Sequence, residues 1–475
     1  MPRRRVKAKS QAKATEPTEN LAMINPNAGA IDIGSEQHVV AVPPGRDTES
    51  VRTFGSFTAD IHEMGRWLKA CGVTSVVMEA TGVYWIAAFQ ILEQDGLEVH
   101  LIDPRAAKNL PGRKSDVLDC QWHQKLHSFG LLSSCFVPPA EILPLRTYLR
   151  LRQELVQNRS QAVERMQKAL FAMNVQLVNV ISDITGETGL AIIKAILAGE
   201  REGTKLAELK NQRIQASKAV IAKSLEGNWK EELLYALQTA LASHEFYQQQ
   251  IEQCEQKITE TLERLPSRQI PPQDNCQANE LQPLNKEAVK VYQLKELPPA
   301  SNSCSREPLS PLAAELKRIA GVDLSSIDGI GEQTAQVILS EFGPDLKSRF
   351  KTEKHFSSYL GLCPGTRISG GKVLNRRSRK VSHRVATALR LAARSLHSSQ
   401  SALGANYRRL KARLGAPKAI TAMANKLAKL VYRLLVNGQD YFDRGIKHYE
   451  EKFRQQQIRR LEKQARILNL KLIPA

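Results

Sequence analysis

The sequence predicts an α/β domain at its N-terminal end and a long, mostly helical remainder. Residues 28–140 alternate short β-branched runs with amphipathic stretches, which is typical of a mixed sheet covered by helices. Residues 141–265 contain little Gly or Pro and carry apolar residues at helical spacing, and residues 312–441 read as helices rich in small side chains. At 475 residues, the chain is long enough for two or three domains with separate cores.

These segments differ in their balance of basic and acidic residues. Lys and Arg number 68 against 48 Asp and Glu, which gives a net charge of +20 and favours a polyanionic partner, nucleic acid first. Residues 351–418 hold 16 Lys or Arg and one acid, Glu353, whereas residues 28–140 hold 9 basic and 13 acidic residues. The acidic chemistry and the basic surface are therefore expected in different parts of the chain.

The flanking and linking segments have distinctive compositions. Residues 1–27 read as a disordered basic arm, which lacks the apolar core of a secretory signal. Residues 266–311 are rich in Pro, Gln, Asn and Ser and predict a linker or an exposed insertion, and residues 442–475 predict a basic helical tail. No apolar run approaches the roughly 18 residues of a membrane helix. The seven cysteines include no Cys-x-x-Cys pair, which fits a reducing cytoplasm.

Within the N-terminal domain, three strands come first and alternating helices and strands follow. The pattern predicts strands at 30–33, 37–42, 51–57, 75–79 and 97–102, and helices at 59–71, at 84–94, near Arg105 and at 115–127. Three meander strands followed by alternating elements describe a mixed sheet.

Four carboxylates occupy informative positions in this domain. Asp32 lies in the middle of the first strand and Glu79 ends the fourth, while Asp116 and Asp119 are three apart and share one face of the last helix. An unpaired carboxylate buried in an apolar strand costs several kcal/mol, so Asp32 either faces solvent or meets a cation. Acids from distant parts of the sequence would then converge at one end of the sheet, which is the ribonuclease H-like arrangement.

Convergent carboxylates suit one chemistry in particular. Oxygen-rich clusters bind Mg²⁺ or Mn²⁺, and two such ions about 3.5 to 4 Å apart can activate a nucleophile and stabilise a leaving oxygen at phosphorus. Each acid by itself has an ordinary alternative, as a turn residue or on a solvated helix face. A different ligand set, Cys120, His123 and His127, would share a helix face but has no fourth ligand at standard spacing, so packing beside Trp122 is favoured.

The middle segment, residues 141–265, predicts long helices that bury too little surface on their own. A helical hairpin or coiled coil, serving as a spacer and as the interface of a dimer or tetramer, satisfies that requirement. A plain helical bundle core is the alternative.

Two Gly-containing motifs follow in the C-terminal domain. Residues 324–335 resemble a helix-hairpin-helix turn, in which Gly329, Ile330 and Gly331 leave backbone N–H groups at a helix start to receive a phosphate. An ordinary Gly-x-Gly turn is the alternative reading.

The second motif places Ser369 before Gly370-Gly371, where close approach of a phosphate is possible. A hydroxyl beside this much positive charge can attack phosphorus, although Ser-Gly-Gly is also a common surface turn. The flanking basic residues are candidates for nucleic-acid binding: Arg367, Lys372, Arg376, Arg377, Arg379 and Lys380.

These motifs together resemble a known family. The DEDD transposases of the insertion-sequence one-ten family, in its eleven-eleven subgroup, share them, and these enzymes are related to the Piv-type DNA invertases. The resemblance covers roughly residues 28–139 and 312–441 with a family-like coiled coil between, and it leaves the Pro-rich segment without a role. It rests on Asp32, Glu79, Asp116-x-x-Asp119, Gly329-Ile330-Gly331, Gly361-Leu362-Cys363-Pro364 and Ser369-Gly370-Gly371.

The resemblance implies a function. It implies a RuvC-like domain whose acids Asp32, Glu79, Asp116 and Asp119 hold Mg²⁺ (or Mn²⁺), and a C-terminal transposase domain in which Ser369 is the nucleophile and becomes joined to a DNA strand end. It also implies an element-encoded guide (bridge or seeker) RNA that pairs donor with target DNA, a composite site made across protomers, and a cytoplasmic, nucleoid-associated setting in a bacterium or archaeon.

Three other functions fit parts of the same pattern. A metal-dependent, RuvC-like junction-resolving nuclease would use the acids without a covalent serine intermediate. An actin-like kinase is suggested by Asp32-Ile33-Gly34-Ser35, which resembles a phosphate loop, but a second phosphate motif is not found. A non-enzymatic coiled-coil DNA-binding protein would leave the acids idle.

Overall fold

The structure, a computed structural model, describes residues 22–103, 116–269, 310–375, 377–379 and 381–438 and scattered positions between 454 and 467. It divides into two compact units at Val137 and Pro138. Of Asp116, Val117 and Arg367 only the backbone is described. Several expectations fall outside the described residues: most of the basic arm (1–21), the helical stretch near Arg105, most of the Pro-rich segment (270–309), Arg376, Lys380 and most of the basic tail.

The first unit is built on a five-stranded mixed sheet with the order β3-β2-β1-β4-β5. The first three strands are antiparallel neighbours, and β4 and β5 pair parallel to β1 and β4 respectively. The predicted mixed α/β class is confirmed, and the sheet is consistent with a ribonuclease H-like domain. The strands are β1 (Ala28–Ile33), β2 (Gln37–Ala41), β3 (Val51–Gly55), β4 (Ser75–Glu79) and β5 (Glu98–Ile102).

Helices cover both faces of this sheet. On one face, α1 (Thr58–Ala70) and α2 (Trp85–Gln94) pack on the larger core, where Leu68 is fully buried. Burying a Leu side chain contributes about 1.5–3 kcal/mol. On the other face lies α3 (Asp116–Ser128), which contacts β1 and β2.

Small side chains on β1 allow the close approach of α3. Ala28 and Ala30 are fully buried, and their carbonyl oxygens accept hydrogen bonds from α3: Gln124 Nε2 donates to Ala28 at 3.0 Å and Cys120 Sγ to Ala30 at 3.3 Å. The chain before β1 is attached to the same helix, because the backbone N–H groups of Ile24 and Asn25 both donate to the Ser128 carbonyl at 2.9 Å.

The second unit begins with a long antiparallel helical hairpin. Helices α4 (Leu143–Ala172) and α9 (Glu231–Arg264) have 30 and 34 residues. They lie side by side, with the Cys254 thiol donating to the Tyr148 carbonyl and Arg152 bonded to Glu255. The predicted long helical hairpin is present, whereas coiled-coil packing and its role in oligomerisation stay predictions.

Between the two hairpin helices, the chain forms four short helices that pattern analysis did not separate. They pack against the ends of α4 and α9 around one apolar core that includes Met166, Ile192 and Leu237. Their bounds are α5 (Leu177–Val180), α6 (Glu187–Leu197), α7 (Gly203–Glu208) and α8 (Lys218–Ser224).

The rest of the second unit is helical around an aromatic cluster. Phe342, Phe350 and Phe356 contact one another edge to face, with ring centroids 5.2–5.8 Å apart, and the Tyr432 hydroxyl donates to the Phe350 carbonyl. The helices are α10 (Pro311–Ala320), α11 (Glu332–Phe342), α12 (Glu353–Tyr359), α13 (Arg384–Ser395), α14 (Ala402–Leu414) and α15 (Ala416–Asn437).

One short hairpin interrupts these helices. Strands β6 (Arg367–Ser369) and β7 (Lys372–Asn375) form a separate two-stranded antiparallel sheet. None of the helices in the described part of the chain combines the length and apolar character that a bilayer crossing requires.

Candidate functional site

Strand register places Asp32 and Glu79 side by side. The parallel ladder between β1 and β4 pairs Ile31 with Met78, so Asp32 and Glu79 are the next residues along their strands. Side chains alternate between the faces of a strand. Because Ala30 and Val77, two residues earlier, pack on the α3 side, both carboxylates leave the sheet on that same side.

Helix α3 places polar side chains beside the ends of β1 and β4 that carry Asp32 and Glu79. His123 is 8% exposed and its Nε2 lies 3.6 Å from Glu79 Oε1. Burial lowers the pKa of His123, and the negative charges of Glu79 and Asp119 oppose that shift without cancelling it. The ring is therefore neutral near pH 7, and it supplies no permanent cation to balance the acids around it.

Cys120 occupies the centre of the contact between α3 and the sheet. Its thiol donates to the Val39 carbonyl at 3.2 Å as well as to that of Ala30, and burial raises its pKa to about 12, with the nearby charge of Asp32 adding to the increase. A thiol with this pKa stays protonated, and metals bind the thiolate. Cys120 is therefore a packing residue.

His127 belongs to a different polar contact. Its Nε2 lies 3.1 Å from the Ser75 hydroxyl and its ring contacts that of His100, and burial lowers its pKa to about 4. The cysteine and the two histidines on α3 therefore do not act as one ligand set. Of the three, His123 contacts an acid of the predicted quartet.

The position of the remaining acids follows from the helix. Asp116 is the first residue of α3 and its side chain lies outside the described part of the structure. Asp119 lies one turn before His123 on the same face, close enough for its charge to act on the imidazole. Within the described side chains, no group of three or more His, Cys, Asp and Glu is gathered closely enough to hold a metal ion.

The carboxylates at the ends of β1 and β4 and on α3 nevertheless have the chemistry of a hard-cation site. Carboxylate oxygens are the ligands that Mg²⁺ and Mn²⁺ prefer. Asp32, Glu79 and Asp119 are partly exposed, so water and an ion can reach them, and the neutral His123 adds no positive charge beside Glu79 and Asp119. By their chemistry, Asp32, Glu79 and Asp119 are thus side chains that could hold a divalent cation.

In the second unit, Ser369 ends β6 at an exposed hairpin turn. Gly370 and Gly371 have φ of 54° and 73°, so both turn residues are left-handed, as a two-residue type I′ turn requires. A Cβ at either glycine would meet no atom within 4 Å. The glycines are therefore needed for the backbone angles, and the turn leaves the Ser369 hydroxyl accessible to solvent.

Basic residues surround this turn. Lys372 pairs with Ser369 across the ladder, so their side chains leave the same face of the hairpin. Arg379 is anchored instead, with its guanidinium donating to the Ser358 carbonyl at 2.6 Å, and Arg377 is exposed. Of the predicted phosphate contacts, Lys372, Arg377 and Arg379 are thus exposed, and Arg379 is in addition held by its hydrogen bond to Ser358.

The predicted helix-hairpin-helix turn leads directly into α11. Gly329 has a φ of 87°, and a Cβ there would lie 2.8 Å from the Ala392 carbonyl oxygen. Ile330 is buried and Gly331 is the residue before the first turn of α11. The local geometry thus contains the tight turn and the helix start, while the helix-hairpin-helix assignment and phosphate binding stay predictions.

Sequence reasoning missed two polar groups. His123 was assigned to packing, although its position four residues after Asp119 places it on the acidic face of α3. Glu341, 5% exposed, binds Arg146 at 3.1 Å and Arg150 at 2.8 Å. Its partners lie about 190 residues earlier in the chain, so no local pattern reveals the contact.

Two family models match the chain. The model for the DEDD transposase domain of IS110, the insertion-sequence one-ten family, matches residues 30–175, a range that contains all four predicted acids. A model described as the transposase IS116/IS110/IS902 family matches residues 323–408, which include residues 329–331 and Ser369. No curated protein shows significant similarity to the chain.

Proposed function

The chain belongs to the IS110 family of DEDD transposases and is a DNA transposase or recombinase, and from this premise we propose that it cleaves and rejoins DNA strands with a Mg²⁺-binding acid quartet and a serine nucleophile. The observation that carries the proposal is the position of Asp32 and Glu79, each one residue beyond the paired Ile31 and Met78, on the sheet face covered by α3. The same helix contributes Asp116 and Asp119.

The acids have a defined task in this proposal. Asp32, Glu79, Asp116 and Asp119 would hold the divalent ion, Mg²⁺ or Mn²⁺. When bound, the ion supplies positive charge that favours displacement at phosphorus. His123 packs against Glu79 and fixes its position, and because burial keeps the imidazole neutral it does not compete with the ion for that carboxylate.

Ser369 carries the covalent step. Its hydroxyl oxygen attacks the scissile phosphorus, a P–O bond to serine forms, and the P–O bond to the departing sugar oxygen breaks. The serine proton is lost to solvent, and the departing oxygen is protonated, so the step balances. Lys372, on the same face of the hairpin, and the exposed Arg377 offset the charge of the phosphate during this exchange.

We further propose that an element-encoded guide RNA pairs donor with target DNA, that the protein works as a dimer or tetramer, and that it acts at the nucleoid of a bacterium or archaeon. The net charge of +20 supports nucleic-acid partners of either kind. The motif set supports the eleven-eleven subgroup and the relation to Piv-type invertases.

The test is to trap the covalent intermediate. The protein, purified with its copurifying RNA, is incubated with DNA carrying an end of its insertion sequence and Mg²⁺, then denatured and separated by gel electrophoresis. A protein–DNA adduct is expected for the unaltered protein and absent in Ser369→Ala, whereas Ser382→Ala, an exposed serine of the same region, retains it. Cleavage by Ser369→Ala at an unchanged rate without an adduct would instead support a metal-dependent, junction-resolving nuclease.

A further inference from the structure

The hairpin that carries Ser369 exposes an apolar surface. Ile368 is 64% exposed, Val373 42% and Leu374 70%. These three side chains, here called the hairpin patch, lie on a ribbon of two short strands. A two-stranded hairpin is marginal by itself, and large apolar residues on such an element signal a contact made with something else.

Strand pairing gathers the hairpin patch into one place. Ile368 pairs with Val373, and the ladder then shifts register so that Arg367 pairs with Asn375. Leu374 is the extra residue of this irregularity, and with Val373 it opposes the single residue Ile368. The three apolar side chains are therefore neighbours, and Ile368 directly precedes Ser369 in β6.

The charged residues around the hairpin patch indicate what kind of molecule binds there. Residues 351–418 contain 16 basic residues and one acid, and that acid, Glu353, is already paired with Arg433. A partner at this surface must therefore be polyanionic and must also present an apolar face. The stacked bases of DNA, flanked by phosphates, satisfy both requirements.

We propose that the hairpin is a wedge that inserts Ile368, Val373 and Leu374 between bases of the DNA beside the phosphate presented to Ser369. Apolar side chains of this kind unstack base steps in many DNA-bending proteins. The rise of a strand, about 3.3 Å per residue, is close to the rise of duplex DNA, about 3.4 Å per step. Ile368 and Ser369 are consecutive residues whose side chains leave opposite faces of the ribbon, so in this proposal the apolar face meets the bases while the face with Ser369 and Lys372 meets the phosphate. The proposal rests on DNA being the substrate, but it does not require the serine chemistry.

The experiment uses the full chain with its copurifying RNA and a DNA carrying a fluorescent adenine analogue beside the cleavage position. Unstacking raises the fluorescence of the analogue, and we expect a rise of roughly two- to fivefold on binding of the unaltered protein. The double variant Ile368→Thr/Leu374→Thr should lose most of this rise. Leu391→Thr, which alters a 63% exposed apolar residue on α13, is the matched control and should behave as the unaltered protein.

A second substrate guards against a general folding defect. When the base pair beside the cleavage position is replaced by a mismatch, the step is already weakened, so strand cleavage by the double variant should recover to within a fewfold of the unaltered protein. A variant that has merely lost its fold would not be rescued.

Three results would overturn the wedge. The first is an undiminished fluorescence rise in the double variant. The second is a loss of self-association in that variant, measured by light scattering, while the fluorescence rise persists. The third is binding of the hairpin patch to anionic lipid vesicles without any fluorescence rise on DNA. Failure of the proposed function is separate, because an unaltered protein that raises the fluorescence but forms no adduct retains the wedge and loses the serine mechanism.

Discussion

At the scale of single residues, the buried polar groups differ in their purpose. Glu341 is surrounded by Arg146, Arg150 and, at 4.0 Å, Arg384. Burial alone would raise the pKa of Glu341, but the hydrogen bond from Arg150 and the charges of Arg146 and Arg150 outweigh it and lower the pKa. The carboxylate is therefore charged at neutral pH and neutralises a cluster of arginines.

Glu341→Gln should destabilise the second unit by about 3 kcal/mol, because it leaves partly buried arginines without their counter-charge. Urea unfolding measures the free energy. Glu353→Gln, which breaks the more exposed pair with Arg433, is the matched control and should cost about 1 kcal/mol or less. Equal losses in the two variants would show that the Glu341 cluster contributes nothing beyond a surface pair.

Because His127 is buried, we expect the stability of the first unit to fall in acid. Its pKa, lowered by burial to about 4, lies below the value near 6.5 expected for the unfolded chain. Between these values the unfolded state binds more protons, so the stability contributed by the neutral ring is complete above about pH 6.5 and is lost as the pH falls toward 4.

His127→Gln should therefore flatten the pH dependence of stability between pH 7 and about pH 4.5, whatever it costs at neutral pH. Thermal melting at a series of pH values measures the slope. The matched control is His355→Gln at an exposed position, which should keep the slope of the unaltered protein. An unchanged slope in His127→Gln would place the acid sensitivity elsewhere.

At the scale of elements, much was readable from the sequence. Asp32 and Glu79 marked two strands as carriers of candidate site residues. The Asp116-x-x-Asp119 spacing marked one face of a helix in the same way. The sequence did not show how the strands pair. The parallel position of β4 beside β1 depends on the connection through α1. A shift of the β1–β4 register by one residue would have sent the Glu79 side chain to the other face of the sheet.

The elements that escaped prediction have a common physical cause. Helices α5 to α8 are short and share one core with the ends of α4 and α9, so their boundaries are set by tertiary packing and not by a local apolar period. The same is true of His123, whose role depends on Glu79 arriving from another strand.

The turn before α11 offers a test at this scale. Gly329→Ala should destabilise the second unit by about 1–3 kcal/mol, because Ala at a φ of 87° is strained and its Cβ would lie 2.8 Å from the Ala392 carbonyl oxygen. Gly331→Ala is the matched control, since a Cβ there meets nothing within 4 Å, and it should cost less than about 1 kcal/mol. Denaturant unfolding of both variants decides whether the turn requires one glycine or two.

At the scale of the whole molecule, the residues proposed to carry the chemistry fall in two different units. The acids belong to the first and the exposed serine hairpin to the second. The basic excess of residues 351–418 accompanies the serine and not the acids. Carboxylates among so many basic residues would pair with them, so the separation leaves the acids available to an ion.

The central claim is that the acids of the first unit hold a divalent ion, and a titration of Mn²⁺ followed by electron paramagnetic resonance tests it without relying on activity. The unaltered protein should bind Mn²⁺, and both Asp32→Asn and Asp119→Asn should weaken binding at least about tenfold, or about 1.4 kcal/mol. Glu63→Gln, an exposed acid on α1, should bind as the unaltered protein does. Mn²⁺ affinity unchanged by Asp32→Asn and Asp119→Asn would contradict the account.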